Sequence, residues 1–367
     1  MIINKYKSDL DVFFSEKKFK KIFLITGKNS FNKSGANKIF NKYLENRETI
    51  TYFKKNYIPE FSELKEIIKI RKKFNPDLIL AIGGGTVLDY AKAANCLDVN
   101  LKTSDIKKND LKFHKKTVLC AIPTTAGSGA EVTPTAVIYI NGLKYSIEHE
   151  KIKPDYFFLL PELIIDSKKS LKAASGFDAI SQGIESLISL KSNKESILYS
   201  KKSLKYSFKS FQNFIKKPNL NNTFEMALAA NLSGKAIAIS RTTAPHALSY
   251  PFTSLFNVSH GHAVSLTLNE FLKFNYKNIS YADKNIDLKS RFKILFELSG
   301  TSSIDDFTSY LSRLKKVGKL EGSLRKLKIN LNDCYSKVIG GVNPSRLKNN
   351  PVKIEKKDIK TILNTIN

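Results

Sequence analysis

Three of the chain's five histidines, His246, His260 and His262, fall close together in sequence. Imidazole nitrogens beside a carboxylate suit a divalent first-row cation. Asp178 and Gln182 stand four apart on an expected helix, so both project from one face. For any one histidine, a hydrogen-bonded structural role is the better account. Clustering puts a metal site on equal footing. A second constellation is Ile82–Asp89 (IGGGTVLD), between an expected strand and helix. Glycines let a backbone approach a pyrophosphate, and a helix start supplies free N–H groups, so Gly84, Gly85 and Thr86 become phosphate-binding candidates. The order is not G-x-G-x-x-G, so the ordinary dinucleotide fingerprint does not apply. A third is Pro123–Glu131 (PTTAGSGAE), where Thr124, Thr125 and Ser128 crowd a loop after the next strand. Alone each loop is only a turn; two after neighbouring strands point to one shared nucleotide cleft at the carboxyl edge of a sheet.

The elements that must position these residues are legible as apolar runs. Residues 22–27, 78–82 and 118–122 read as buried parallel strands, 50–53 as another, and 36–43, 61–74 and 90–94 as helical. Their alternation predicts a βαβ arrangement with a parallel sheet. Residues 132–140 and 143–147, joined by Asn141-Gly142, predict a β-hairpin. Beyond about residue 167 the apolar spacing becomes three to four, as in 179–190, 203–214, 225–239 and 289–298. The expected fold is therefore an α/β, Rossmann-like nucleotide-binding domain over 1–167, followed by an all-α domain over 168–367.

The 367 residues are enough for two cores. The 61 Lys and Arg against 33 Asp and Glu leave a net charge of +28. Lysine is spread evenly with no basic block interleaved with aromatics, so nucleic acid is not the expected partner; the positive field favours anionic substrates and cofactors. No run of about 18 apolar residues occurs, so no membrane span is expected. The start of the chain lacks the apolar stretch of a secretory signal. Cys96, Cys120 and Cys334 form neither a disulfide framework nor a thiolate metal motif, and the expected compartment is the cytoplasm.

Four ordered motifs then carry a resemblance. Gly83–Lys92 (GGGTVLDYAK) resembles the GGGSxxDxAK of the iron-containing alcohol dehydrogenase family, and Ile122–Thr133 resembles its PTTAGTGSEVT. Gly176–Ser189 (GFDAISQGIESLIS) is similar to its metal-binding helix, GxDAxxHxxExxxS, and His246 and His260 keep its interval of 14. The resemblance, to a family with a dehydroquinate-synthase-like fold, implies metal ligands Asp178, His246 and His260. Gln182 stands where the fourth ligand is normally His. It implies Fe2+, with Zn2+ as the other candidate, NADPH or NADH, and a homodimer. Asp89 and Lys144 join the implied cofactor contacts. Where the family often has a further His, this chain has Tyr250.

The segments Asp178–Ser186, Thr243–Pro251, Ser259–Val264 and Val342–Pro351 look like the phosphonoacetaldehyde reductase branch of that family. Reduction of phosphonoacetaldehyde to 2-hydroxyethylphosphonate is the activity this implies. The expected chemistry is hydride transfer from a nicotinamide to a metal-polarised carbonyl in a closed, dry cleft between the domains. Tyr250 and His262 are the candidate proton relays, and Arg241 the candidate partner for an anionic aldehyde. At the end of the first strand, Gly27 stands where an acidic residue would bind a ribose 2′-hydroxyl. Lys28 and Ser30 follow it, so NADPH is the expected preference. A reductase of another short or anionic aldehyde, a dehydroquinate-synthase-like lyase and a non-catalytic nucleotide-binding descendant remain the alternatives.

Overall fold

A computed structural model describes residues 7–367, except the side chains of residues 7, 8 and 332–334; Cys334 therefore lies outside the described residues. The chain divides into two units, one running up to Thr125 and including Gly129–Ser167, the other comprising Ala126–Ser128 with Lys168–Asn367.

The first unit runs α1 (Lys7–Lys17), β1 (Lys21–Thr26), α2 (Lys28–Lys33), α3 (Ala36–Leu44), β2 (Glu48–Phe53), α4 (Phe61–Phe74), β3 (Leu78–Gly83) and α5 (Gly85–Cys96). It continues through α6 (Thr103–Lys108), β4 (Val118–Pro123), β5 (Thr135–Ile140), β6 (Leu143–Glu148) and β7 (Tyr156–Phe157). One sheet has the order β2-β1-β3-β4-β7, every neighbouring pair parallel, in registers such as Ile22↔Leu78 and Leu80↔Cys120. The near-continuous burial of β1, β3 and β4 explains why these strands read as unbroken apolar runs. Strand order reverses at β1, which lies between β2 and β3, so a crevice opens outside the carboxyl ends of β1 and β3, the ligand position in such sheets.

Four of these elements went unforeseen. Strand β7 has two residues and α2 and α6 six each, too few to show a clear period, and α1 carries no clean apolar stripe. Other bounds moved for local reasons. Gly84 is extended (φ −76°, ψ −177°) and caps α5, which begins at Gly85 rather than Tyr90. The hairpin begins at Thr135 and turns at Asn141 (φ 51°) and Gly142 (φ 75°), the left-handed pair of a type I′ turn.

Lys92, fully buried in α5, pins this hairpin. Its Nζ donates to the Ala130 carbonyl (2.9 Å), Thr133 Oγ1 (2.9 Å) and the Thr135 carbonyl. Asp89, 3.7 Å from that amine, accepts from the Val137 N–H at 3.1 Å. Burial pushes the Lys92 pKa down and the Asp89 pKa up, each countered by the other's charge.

The second unit comprises α7 (Lys169–Ile188), α8 (Lys194–Lys216), α9 (Leu220–Ser240), α10 (Ala244–Phe256) and α11 (His260–Lys277). After these come α12 (Leu288–Ser299), α13 (Ile304–Val317), α14 (Leu331–Gly340), α15 (Pro344–Leu347) and α16 (Lys356–Thr365). Helix α7 is buried on nearly every face from Lys172 to Ile188. Small residues make that possible: a Cβ on Gly176 would stand 3.0 Å from Phe211 of α8, and one on Gly183 3.0 Å from Leu204. Leu248, Phe252, Leu266, Phe271, Leu324 and Leu363 belong to a second core joining α10 and α11 to the C-terminal helices.

Candidate metal centre and nucleotide-binding edge

A candidate metal-binding cluster assembles where α7, α10 and α11 meet. Asp178, His246 and His260 each offer a ligand atom, and these atoms lie within 4.8 Å of one another. His260 reaches Asp178 because of the residue after it. A Cβ on Gly261 would fall 1.9 Å from the Ala174 carbonyl oxygen and 2.8 Å from Asp178 Cβ, so only glycine lets the start of α11 touch α7.

His246 is oriented from behind by Glu185, about two turns beyond Asp178 on α7 and with no exposure to solvent. Its carboxylate holds His246 Nδ1 and accepts from the Thr243 N–H (2.8 Å) and hydroxyl (3.0 Å). An acidic group here also complements the N-terminal dipole of α10. With Nδ1 occupied, Nε2 faces Asp178 Oδ1 at 3.3 Å. Carboxylate, imidazole and ligand pocket in line is the arrangement that fixes the tautomer of a metal-binding histidine. Burial lowers the His246 pKa, but Glu185 and Asp178 outweigh it and raise it to about 10.

Gln182 lies beside this cluster in an unexpected orientation. Its Nε2 donates to Asp178 Oδ2 (3.2 Å), while Oε1 accepts from the Ser233 hydroxyl (2.9 Å). Turned over, the amide would present Oε1 toward Asp178 and Nε2 toward Ser233, whose hydroxyl also has the Ala230 carbonyl at 2.9 Å as an acceptor. Tyr250 is buried with its ring stacked on His260, centroids 5.9 Å apart. His262 points elsewhere: its Nε2 meets the Glu321 carbonyl at 2.8 Å, and burial pushes its pKa down.

The C-terminal segment braces α10. Pro251 has no N–H for the Ala247 carbonyl, and the Asn343 N–H takes that acceptor at 3.3 Å. Asn349 reaches the turn before α10, where Arg241 ends α9 with φ 64° and ψ 174°.

On the first unit, Gly84, Gly85 and Thr86 are partly exposed at the start of α5, where first-turn N–H groups lack intrahelical partners. Thr86 Oγ1 donates to the Tyr57 carbonyl (3.2 Å). Thr124 is buried, its N–H bonded to the Gly83 carbonyl (3.0 Å), so the loops after β3 and β4 are tied together. Thr125 stands against Gly84, where a Cβ would meet it at 3.6 Å. Ser128 falls in a short stretch that groups with the second unit; there Gly127 leaves room for Ser175, 2.8 Å from any Cβ. Asp89 is engaged with Lys92 and Val137, a brace for the hairpin, and Lys144 acts on it through charge. The space that a side chain at Gly27 would fill is occupied. A Cβ there would meet Ser30 Oγ at 2.6 Å and Lys54 Cε at 3.8 Å, because the Ser30 hydroxyl folds back to the Gly27 carbonyl. Lys28 is exposed.

Sequence reading missed Glu185, Gly261 and Lys54. The first two lay inside quoted motifs. Glu185 stands seven residues after Asp178 on one helical face, and Gly261 directly follows a ligand histidine; those spacings were the available signals.

Comparison with known proteins supplies the class. The iron-containing alcohol dehydrogenase family model matches residues 5–161, and that for the C-terminal part of the Fe-containing alcohol dehydrogenase family matches 172–367. The chain belongs to the iron-containing alcohol dehydrogenase family. Phosphonoacetaldehyde reductase of Streptomyces viridochromogenes is 33% identical over 213 residues, covering 54% of this chain and 53% of that protein. The bifunctional aldehyde-alcohol dehydrogenase of Escherichia coli K12 is 29% identical over 275 residues, 70% of this chain and 31% of that one. The chain thus spans about half or less of the length of these curated relatives. Among solved structures, sulfoacetaldehyde reductase from Bifidobacterium kashiwanohense in complex with NAD+ superposes with a TM-score of 0.87 at 21% identity, covering 100% of this chain and 99% of that one. An iron-containing alcohol dehydrogenase from Thermotoga maritima does so with 0.85 at 24%, covering 99% and 96%.

Proposed function

We propose that this protein is a metal-dependent, nicotinamide-nucleotide-linked alcohol dehydrogenase that works as an aldehyde reductase, with phosphonoacetaldehyde as substrate and 2-hydroxyethylphosphonate as product. The observation that carries the reading is the convergence of Asp178, His246 and His260, with Glu185 holding the far nitrogen of His246. One carboxylate and two imidazoles are a donor set for a divalent first-row ion, Fe2+ foremost, and their ligand atoms stand close enough together to share one. When bound, the metal supplies Lewis acidity toward an aldehyde oxygen and the reduced nicotinamide supplies hydride.

The chain's residues do the rest. Asp178, His246 and His260 would hold the cation, and Gln182, with its amide turned over against Ser233, would offer its oxygen as a further donor. Gly84, Gly85 and Thr86 receive the pyrophosphate at the start of α5, while Thr124, Thr125 and Ser128 line the path of the nicotinamide. Tyr250, packed on His260, hands a proton to the nascent alcohol oxygen; the Nε2 of His262 is already committed to Glu321. Arg241 pairs with the phosphonate. The balance is one hydride and one proton added across the carbonyl, with the nicotinamide oxidised. The 33% identity to a phosphonoacetaldehyde reductase supports the substrate.

The test compares kcat/KM for phosphonoacetaldehyde and acetaldehyde on iron-loaded protein. A preference of tenfold or more for the phosphonate is expected, and equal values would overturn the substrate. Failure to bind any divalent metal, with no NAD(P)H oxidised by any aldehyde, would overturn the activity and favour a non-catalytic descendant.

A further inference from the structure

The carboxyl ends of β1 and β2 lie side by side, with Thr26 paired to Phe53. The Lys54 N–H extends that ladder by one residue, donating to the Thr26 carbonyl at 2.8 Å. Gly27 and Lys54 are therefore the first residues past the ends of two neighbouring strands, beside the position where the strand order reverses. The Lys54 side chain lies along Gly27, its Cε 3.8 Å from where a Cβ would stand. Its amine donates to the Asn56 carbonyl (2.8 Å), and among the described residues no carboxylate is within ion-pair distance. Glu63, the acidic group nearest in effect, is committed to the Lys55 N–H (2.6 Å), the Asn56 N–H (3.0 Å) and the Tyr90 hydroxyl (2.7 Å). Burial pushes the Lys54 pKa down and Glu63 pulls it up. A partly desolvated cation without a counterion thus stands at the nucleotide edge.

We infer that Lys54 is a specificity-determining residue for the nucleotide, pairing its ammonium with the 2′-phosphate of an NADP-type cofactor. The inference rests on the reading of this edge as the dinucleotide site, and goes beyond it by naming the cation that discriminates. An acidic residue at such a strand end binds a free 2′-hydroxyl and repels a phosphate. Here glycine removes the obstacle, Ser30 offers a hydroxyl that rotates away from its own backbone, and Lys54 supplies the charge. A lysine ammonium is a compact point charge that makes charge-assisted hydrogen bonds to phosphate oxygens.

Binding is measured by calorimetry on the full-length protein with two probes, adenosine 2′,5′-bisphosphate and 5′-AMP, so that neither metal nor turnover enters. The intact chain should hold the bisphosphate at least tenfold tighter, with the margin shrinking as salt screens the pair. Lys54→Met should reduce the ratio to within threefold while leaving 5′-AMP affinity unchanged, and Lys54→Arg should retain most of it. No preference in the intact chain, an unaltered ratio in Lys54→Met, or equal weakening of both probes would overturn the inference; the last would mean that Lys54 only shapes the 54–57 turn. If neither probe binds the intact chain, the dinucleotide reading itself falls, an outcome distinct from the other three.

Discussion

Asn349 clamps the backbone on both sides of Arg241: its amide donates to the carbonyls of Ser240 (2.8 Å) and Thr242 (2.9 Å). Between these bonds Arg241 adopts φ 64° and ψ 174°, a region that is essentially glycine's own and costs about 1–3 kcal/mol for other residues. The strain sits at the turn that launches α10 toward the metal cluster. Two truncations separate it from loss of the guanidinium. At an ordinary position alanine is more stable than glycine by about 0.5–1 kcal/mol. Here Arg241→Gly should melt above Arg241→Ala in a thermal scan, because only glycine relieves the backbone. The usual order would remove the strain from the account.

Gly261→Ala should separate α11 from α7. The added methyl has nowhere to go, since a backbone carbonyl stands 1.9 Å from it. Overpacking of a core costs about 1–3 kcal/mol, and a rigid backbone neighbour puts this site at the upper end. The expected outcome is a lower melting temperature together with loss of bound iron, because His260 is displaced from Asp178. Full metal occupancy in the variant, read by elemental analysis, would contradict the geometry.

Glu185→Gln tests the group behind His246. The amide can still accept from Thr243, but it no longer holds the imidazole with a full negative charge. Partners of this kind change metal affinity by about 10–100-fold. Competition with a chelator should show a loss in that range, while Ser186→Ala on the same helix leaves affinity unaltered. A fall in melting temperature with undiminished affinity would make Glu185 a capping residue for α10 and nothing more.

Lys315 on α13 gives a stability term that depends on pH. Its amine donates to the Ser265 carbonyl (3.3 Å), and burial, opposed by Glu270 and reinforced by Lys273, pushes its pKa from 10.5 to about 8. The unfolded chain therefore binds more protons than the folded one between about pH 8 and 10.5, and stability contributed by this group rises with pH across that window. Below it the penalty is complete, up to about 3 kcal/mol. Lys315→Met should melt higher than the parent at pH 7, and the gap should close as the pH approaches 10.5. A gap independent of pH would show that the lysine stays charged in the fold.

Most strands of the first unit, the change to helical spacing near residue 167 and the motif residues Asp178, His246 and His260 were legible in the chain itself. They rest on local signals: apolar runs for buried strands, spacing of three to four for helices, and motif letters at fixed intervals. Strand β7 and the orientation of Gln182 were not, because a two-residue edge strand has no period and an amide's direction depends on which neighbours offer a donor and an acceptor. The roles of Glu185, Gly261 and Asn349 arise the same way. Asn349 meets Ser240 across 109 positions and Glu185 meets His246 across 61. Contacts at such separations exist only after the helices pack, and side-chain direction, burial and charge balance follow from packing. Spacing and motif letters singled out Asp178, His246 and His260; close packing of α7, α10 and α11 brought them together and set Glu185 and Gly261 against them.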